Sequence, residues 1–189
     1  DVGTTYMGLT PNDFKNKSDN FTNVKFQVTD GYITITSKDA KTGENMTVEA
    51  PKDVMYNGQP QQEKPVVKDG EKTLTEGVDY TLSYSSDTTN VGTVTVTVTG
   101  KGNYSGSVDV IYKITPAPLT VNANSNSKVY DGEALTAGGT IKGLVGEETA
   151  TAKTEGSQTE VGSSANKVAG VEWGTANKGN YYIQSQKDG

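Results

Sequence analysis

The chain of 189 residues contains no cysteine and no histidine. Without cysteine there is neither a disulfide framework nor a thiolate metal site. Without histidine the commonest general base and metal ligand is missing. Hydrophobic residues make up only 32% of the chain, tryptophan occurs once, and mean hydropathy is −0.60. One large core is hard to build from that supply, and several thin sandwich cores fit it better. No apolar run approaches the roughly 20 residues of a membrane-spanning helix. The net charge of −6 is spread along the chain. It leaves no electrostatic footprint for nucleic acid or for an anionic lipid surface. No signal peptide or sorting tail is visible, and the chain starts and stops inside a repeat. It is therefore expected to be a piece of a longer polypeptide.

Three short landmarks recur. An acidic or amide residue followed by Val-Gly occurs at Asp1-Val2-Gly3, Asn90-Val91-Gly92 and Glu160-Val161-Gly162. An Asn-aromatic pair occurs at Asn20-Phe21, Asn103-Tyr104 and Asn180-Tyr181. A Tyr-Asx-Gly triplet occurs at Tyr56-Asn57-Gly58 and Tyr130-Asp131-Gly132, separated by the length of one small domain. Self-similarity on that scale predicts tandem modules rather than one compact enzyme.

The local patterns are those of strands. Thr93 to Thr99 alternates Thr and Val without a fault, placing Val94, Val96 and Val98 on one face. That is period-2 alternation of β-branched residues, which excludes a helix. Tyr80 to Tyr84 alternates large and small, and Val108, Val110, Tyr112 and Ile114 share one face. Val54 and Tyr56 lead into the Asn57-Gly58 turn, and Val66-Val67, Asp69-Gly70 and Leu74 continue a meander. The middle module is expected to be antiparallel throughout. Pro116-Ala117-Pro118 reads as a short stiff junction into Leu119 and Val121. The polar stretch from Ser37 to Asn45 reads as a looser one.

At the front, Val24, Phe26 and Val28 are expected to form a hairpin with residues 32–36 around Asp30-Gly31. Thr10-Pro11-Asn12-Asp13 carries a capping Thr, a Pro at the first helical position and an acid, which predicts one helical turn. At the back, Tyr182 to Lys187 leads into Asp188-Gly189 without the returning strand that residues 32–36 supply at the front. An orphan edge of that kind is adhesive. Self-association is expected, the front of one chain completing the back of the next, with the competing reading that the front fragment packs alone as a small sheet against the middle unit.

The expected organisation is all-β and extended: tandem Ig-like β-sandwich repeats, with β-grasp-like units carrying one short helix as the alternative. Residues 1–38 form the C-terminal part of a first repeat, residues 39–116 a complete repeat, and residues 117–189 a third repeat lacking its last strand. Lys128-Val129-Tyr130-Asp131-Gly132 and Lys178-Gly179-Asn180-Tyr181 resemble the YDG/MBG class of tandem repeats in large Gram-positive surface proteins, and residues 1–36 look like the back half of the same class. Residues 46–116 resemble a sister Ig-like class through Tyr56-Asn57-Gly58, Glu76-Gly77-Val78-Asp79-Tyr80-Thr81 and Gly100-Lys101-Gly102-Asn103-Tyr104. The resemblance implies a non-enzymatic spacer or adhesin module, extracellular on a bacterial cell surface, whose partners are neighbouring repeats of the same polypeptide. The alternative is a binding module for host glycan or protein.

The chemistry of individual residues points the same way. The four Asp-Gly pairs lack the converging acids of a calcium loop and read as turns. Glu147-Glu148 reads as a solvated face rather than a glycosidase pair. No Gly-x-Ser-x-Gly elbow is present, and no spacing among Lys and Asx singles out an isopeptide pair. No catalytic, cofactor-binding or metal-binding residue is expected, and no cofactor. Trp173, in the alternating run Val171-Glu172-Trp173, is expected to pack in a core. Tyr6, Tyr32, Tyr181 and Tyr182 are the candidates for ligand contact through an exposed aromatic patch. Tyr56, Tyr80, Tyr84, Tyr104, Tyr112 and Tyr130 are expected to cap thin cores at strand ends.

Overall fold

The computed structural model describes the whole chain except Thr22 and residues 41–45. The fold is all-β, with sixteen strands and no α-helix among the described residues. In chain order the strands are β1 (Gly3–Tyr6), β2 (Tyr32–Ile35), β3 (Lys38–Asp39), β4 (Met46–Glu49), β5 (Val54–Met55), β6 (Val66–Asp69), β7 (Lys72–Thr73) and β8 (Tyr80–Tyr84). They continue as β9 (Gly92–Gly100), β10 (Tyr104–Ser105), β11 (Ser107–Thr115), β12 (Ala117–Ala123), β13 (Gly139–Lys142), β14 (Ala150–Glu155), β15 (Lys167–Trp173) and β16 (Tyr181–Lys187). No helix among the described residues is long and apolar enough to cross a membrane.

The strands fall into two compact units. One comprises Asp1–Val48, Val66–Ser83 and Thr97–Asp109; the other comprises Glu49–Pro65, Tyr84–Val96 and Val110–Gly189. Strands β9 and β11 contribute residues to both. In the first unit the core is Ala40, Met46, Val67, Leu74, Tyr80, Val98 and Tyr104, with Val48, Leu82 and Val108 packed against it. The second unit buries Tyr112, Ile114, Leu119 and Val121 almost completely, together with Val94 and Val96. The uninterrupted Val-Thr alternation of β9 thus does what its period requires: its three valines lie at 0–1% exposure. Each such side chain contributes roughly 1.5–3 kcal/mol by leaving water.

Several pairings differ from the pattern the sequence suggests. The middle of the chain is not purely antiparallel. Ile114 and Thr115 of β11 pair in parallel with Val54 and Met55 of β5, and β10 pairs in parallel with β3. The last strand, β16, also runs parallel to β12, with a register shift between Leu119 and Thr120. Local alternation fixes which face a residue takes but carries no information on the direction of its neighbour.

The front hairpin is different as well. Residues 23–30 form no strand, and β2 pairs instead with β1, from Gly3↔Ile35 to Tyr6↔Tyr32. The reason is visible at Asp30. Its carboxylate accepts the Gly8 N–H at 3.0 Å and the Leu9 N–H at 3.2 Å, while Met7 N–H donates to the Gly31 carbonyl. Asp30-Gly31 therefore closes the β1–β2 ladder rather than turning a hairpin from residue 28. Pro11–Asp13 is a single 3-10 turn between the two strands, and Asp13 Oδ2 accepts from both the N–H and the hydroxyl of Thr10.

The proline junction narrows to one residue. β11 ends at Thr115 and β12 begins at Ala117, so only Pro116 intervenes and Pro118 lies inside a strand. Pro118 is tolerated there because β13 pairs with β12 only from Thr120 onward, leaving Pro118 a neighbour in β16 alone. The junction expected to be loose is held at Lys38 and Asp39 by β10, and its remainder at 41–45 lies outside the described residues. The three-stranded sheet near the end of the chain runs β13-β12-β16, which leaves β16 at its edge.

Candidate functional site

The recurring landmarks meet in space, and they do so twice with the same bonds. In the first unit, Asn103 Oδ1 accepts the Val2 N–H at 2.9 Å and Asn103 Nδ2 donates to Asp1 Oδ1 at 3.4 Å. In the second unit, Asn180 Oδ1 accepts the Val91 N–H at 2.9 Å and Asn180 Nδ2 donates to Asn90 Oδ1 at 2.8 Å. Each asparagine grips the residue pair ahead of a glycine that opens a strand, Gly3 of β1 and Gly92 of β9. A single amide side chain supplies both an acceptor and a donor, which is why no other residue type of that length repeats the contact.

The two gripping turns are built alike. Lys101-Gly102-Asn103-Tyr104 and Lys178-Gly179-Asn180-Tyr181 each close with the tyrosine N–H donating to the lysine carbonyl. The tyrosine that follows is buried in both, at 8% and 7% exposure, and its hydroxyl donates to a carboxylate. Tyr104 reaches Asp69 Oδ2 at 3.1 Å, and Tyr181 reaches Glu148 Oε2 at 2.6 Å.

The surroundings set the strength of each clamp. Around Tyr104, Asp69 also takes the Lys38 ammonium at 2.6 Å, and that ion pair holds the Asp69 carboxyl below its usual range. The pair is partly exposed, so solvent screens it and it adds little to stability. Around Tyr181 the shell is tighter. Tyr56 donates its hydroxyl to the other oxygen of Glu148, the Val145 N–H donates to the Tyr181 hydroxyl at 3.0 Å, and the Tyr56 ring stands edge-on to Tyr181 at 5.6 Å. Trp173 stacks on the Tyr181 ring at 6.0 Å. Burial first, and then the Glu148 carboxylate, push the Tyr181 phenol up to about 12 and raise that of Tyr56 in the same direction. Asn180 itself is only 2% exposed, whereas Asn103 is exposed. The turn after Tyr56 needs its glycine: Gly58 has a φ of 76°, and a Cβ there would meet Val145 Cγ1 at 3.0 Å.

The tyrosines singled out for ligand contact separate into two kinds. Tyr6 and Tyr32 are a cross-strand pair on β1 and β2, both 65% exposed, with ring centroids 5.9 Å apart. Tyr182 is 47% exposed. Tyr181 is buried with its hydroxyl engaged on both sides, so its ring belongs to the clamp. Tyr130, expected in a core, is 58% exposed, while Tyr56, Tyr80, Tyr104 and Tyr112 are buried as expected. Glu148 is not part of a solvated face; it is half-buried and accepts two phenols. Nothing local in the sequence marks Glu148, or Asn90 as the partner of Asn180. The repetition of Asx-Val-Gly and Lys-Gly-Asn-Tyr was the available signal. Among the described residues no group of three or more acidic residues is arranged to hold a metal ion.

Neither the curated proteins nor the solved structures contain a match to this chain. A YDG domain is found at residues 115–188, the stretch that holds strands β12 to β16 together with Glu148, Trp173, Asn180 and Tyr181.

Proposed function

We propose that this chain is a non-enzymatic spacer from a bacterial cell-surface protein, of Gram-positive type, built of tandem Ig-like repeats displayed outside the cell. The observation that carries this reading is the duplicated asparagine clamp. In each instance the Asn-Tyr turn of one repeat grips the Asx-Val of the repeat before it, so successive modules are fastened to each other and not merely strung together. The YDG domain supplies one half of the second clamp, and Tyr56, Asn90 and Val91, which precede that domain, supply the other. The parallel pairing of an early with a last strand, β5 with β11 and β12 with β16, adds a second repeated feature. Fastened modules with a one-residue proline link resist bending, which is the property a stalk needs.

A second reading, a module that binds host glycan or protein, is favoured by the Tyr6–Tyr32 pair. Two exposed rings on neighbouring strands are a contact surface of the kind found at protein and sugar interfaces. Backbone ¹⁵N relaxation tests the spacer reading. Residues 49–65 and 84–96 are expected to share one rotational correlation time with residues 115–188. Asn180→Ala is expected to separate them. Independent tumbling in the wild-type chain would overturn the reading.

A further inference from the structure

The Val-Gly landmark, preceded by an acidic or amide residue, occurs three times, and the clamp fills two of them. At Glu160-Val161-Gly162 the Val161 N–H meets no acceptor among the described residues, and the Val161 side chain is 86% exposed. Gly162 has a φ of 156°, the conformation Gly3 holds at 155° in the filled first clamp. Beside this segment opens a cleft of about 460 Å³, with Val161, Leu135 and the exposed Tyr130 in its lining. The complementary piece is also unused. Among the described residues the Asn20 side-chain amide bonds to nothing, and Phe21 after it is 67% exposed. Lys15 and Lys17 lie in the same loop as Asn20 and are opposite in charge to Glu160, while Asp19 beside Asn20 carries the same sign as Glu160.

We propose that Glu160–Gly162 is the docking site for Asn20 of a second copy of this chain. Asn20 Oδ1 accepts the Val161 N–H, its amide donates to the Glu160 carboxylate, and Phe21 enters the cleft beside Val161, unlike the tyrosines after Asn103 and Asn180, which fold back into the core on their own side of the clamp. Two different surfaces meet in this contact, so it is heterologous and propagates from copy to copy. The proposal rests on the clamp reading above.

Sedimentation velocity of the full chain from about 10 μM to about 1 mM tests it. The wild type is expected to form dimers and longer species, less so as salt screens Glu160 from the lysines. Asn20→Ala and Val161→Pro, which removes the N–H, are each expected to weaken self-association at least about tenfold. An equal mixture of the two variants retains one competent pair of surfaces and is expected to stop at dimers. If Val161→Pro lowers the melting temperature, Glu160→Lys takes its place, with the same expectation. A wild type that stays monomeric throughout, variants that associate like the wild type, or a mixture that does not pair would each overturn the proposal. None of those outcomes touches the filled clamps, which are tested separately by the protection of the Val2 and Val91 amides.

Discussion

Tyr181 concentrates the chemistry of this chain in one hydroxyl. It donates to Glu148 and accepts from Val145, so Tyr181→Phe leaves a half-buried carboxylate short of a partner and a backbone N–H without one. The expected cost is about 1–3 kcal/mol by urea unfolding. Tyr182→Phe, one residue on and exposed, is expected to fall within about 0.5 kcal/mol of wild type. The same phenol makes the fold base-sensitive. Its folded value of about 12 lies above the ordinary value of 10, because burial and the Glu148 carboxylate favour the neutral form. The stabilisation is therefore complete below pH 10 and is lost as pH rises toward 12. Urea midpoints measured across that window are expected to fall more steeply for wild type than for Tyr181→Phe. Residue identity alone did not reveal this role. Glu148 sits in a polar, acidic stretch whose sequence looks solvated, and only the approach of Tyr56 and Tyr181 from distant positions gives it a job.

Among the strands, β9 is the element most directly written in the sequence, because period-2 alternation specifies both conformation and buried face at once. Val96→Ala there is expected to cost about 2 kcal/mol from lost transfer energy and the cavity left behind, while Thr95→Ala on the other face stays close to wild type. The pairing partners were less legible. Tyr32–Ile35 was recognisable as a strand, but its partner is Gly3–Tyr6 and not residues 24–28. Asp30 decides that choice by holding Gly8 and Leu9, a contact no local pattern announces. The parallel neighbours of β11 and β12 were illegible for the same reason: a strand's own residues record its faces and not the direction of what lies beside it. Pro118 shows the converse, a residue that breaks strands by propensity yet sits in one where only a single neighbour must be satisfied.

For the whole chain, the composition set the outline: too little apolar surface for one large core, and two modest cores in the structure. The recurrence of the landmarks was visible in the sequence, but their purpose was not. Asn103 and Asn180 are turn residues by sequence, and only the fold shows each of them reaching back about a hundred residues or slightly fewer to an Asx-Val pair. The two clamps are not equal. Asn180 is buried and Asn103 exposed, so Asn180→Ala is expected to lower stability by about 1–3 kcal/mol and Asn103→Ala by about 1 kcal/mol or less, read from urea midpoints. Amide hydrogen exchange at three valines, in a dilute monomeric sample, tests the clamp itself. Val2 and Val91 are expected to be protected and Val161 to exchange freely; Asn103→Ala releases only Val2, and Asn180→Ala only Val91. Exchange at Val2 and Val91 as fast as at Val161, or indifference of either to the loss of its asparagine, would contradict the account.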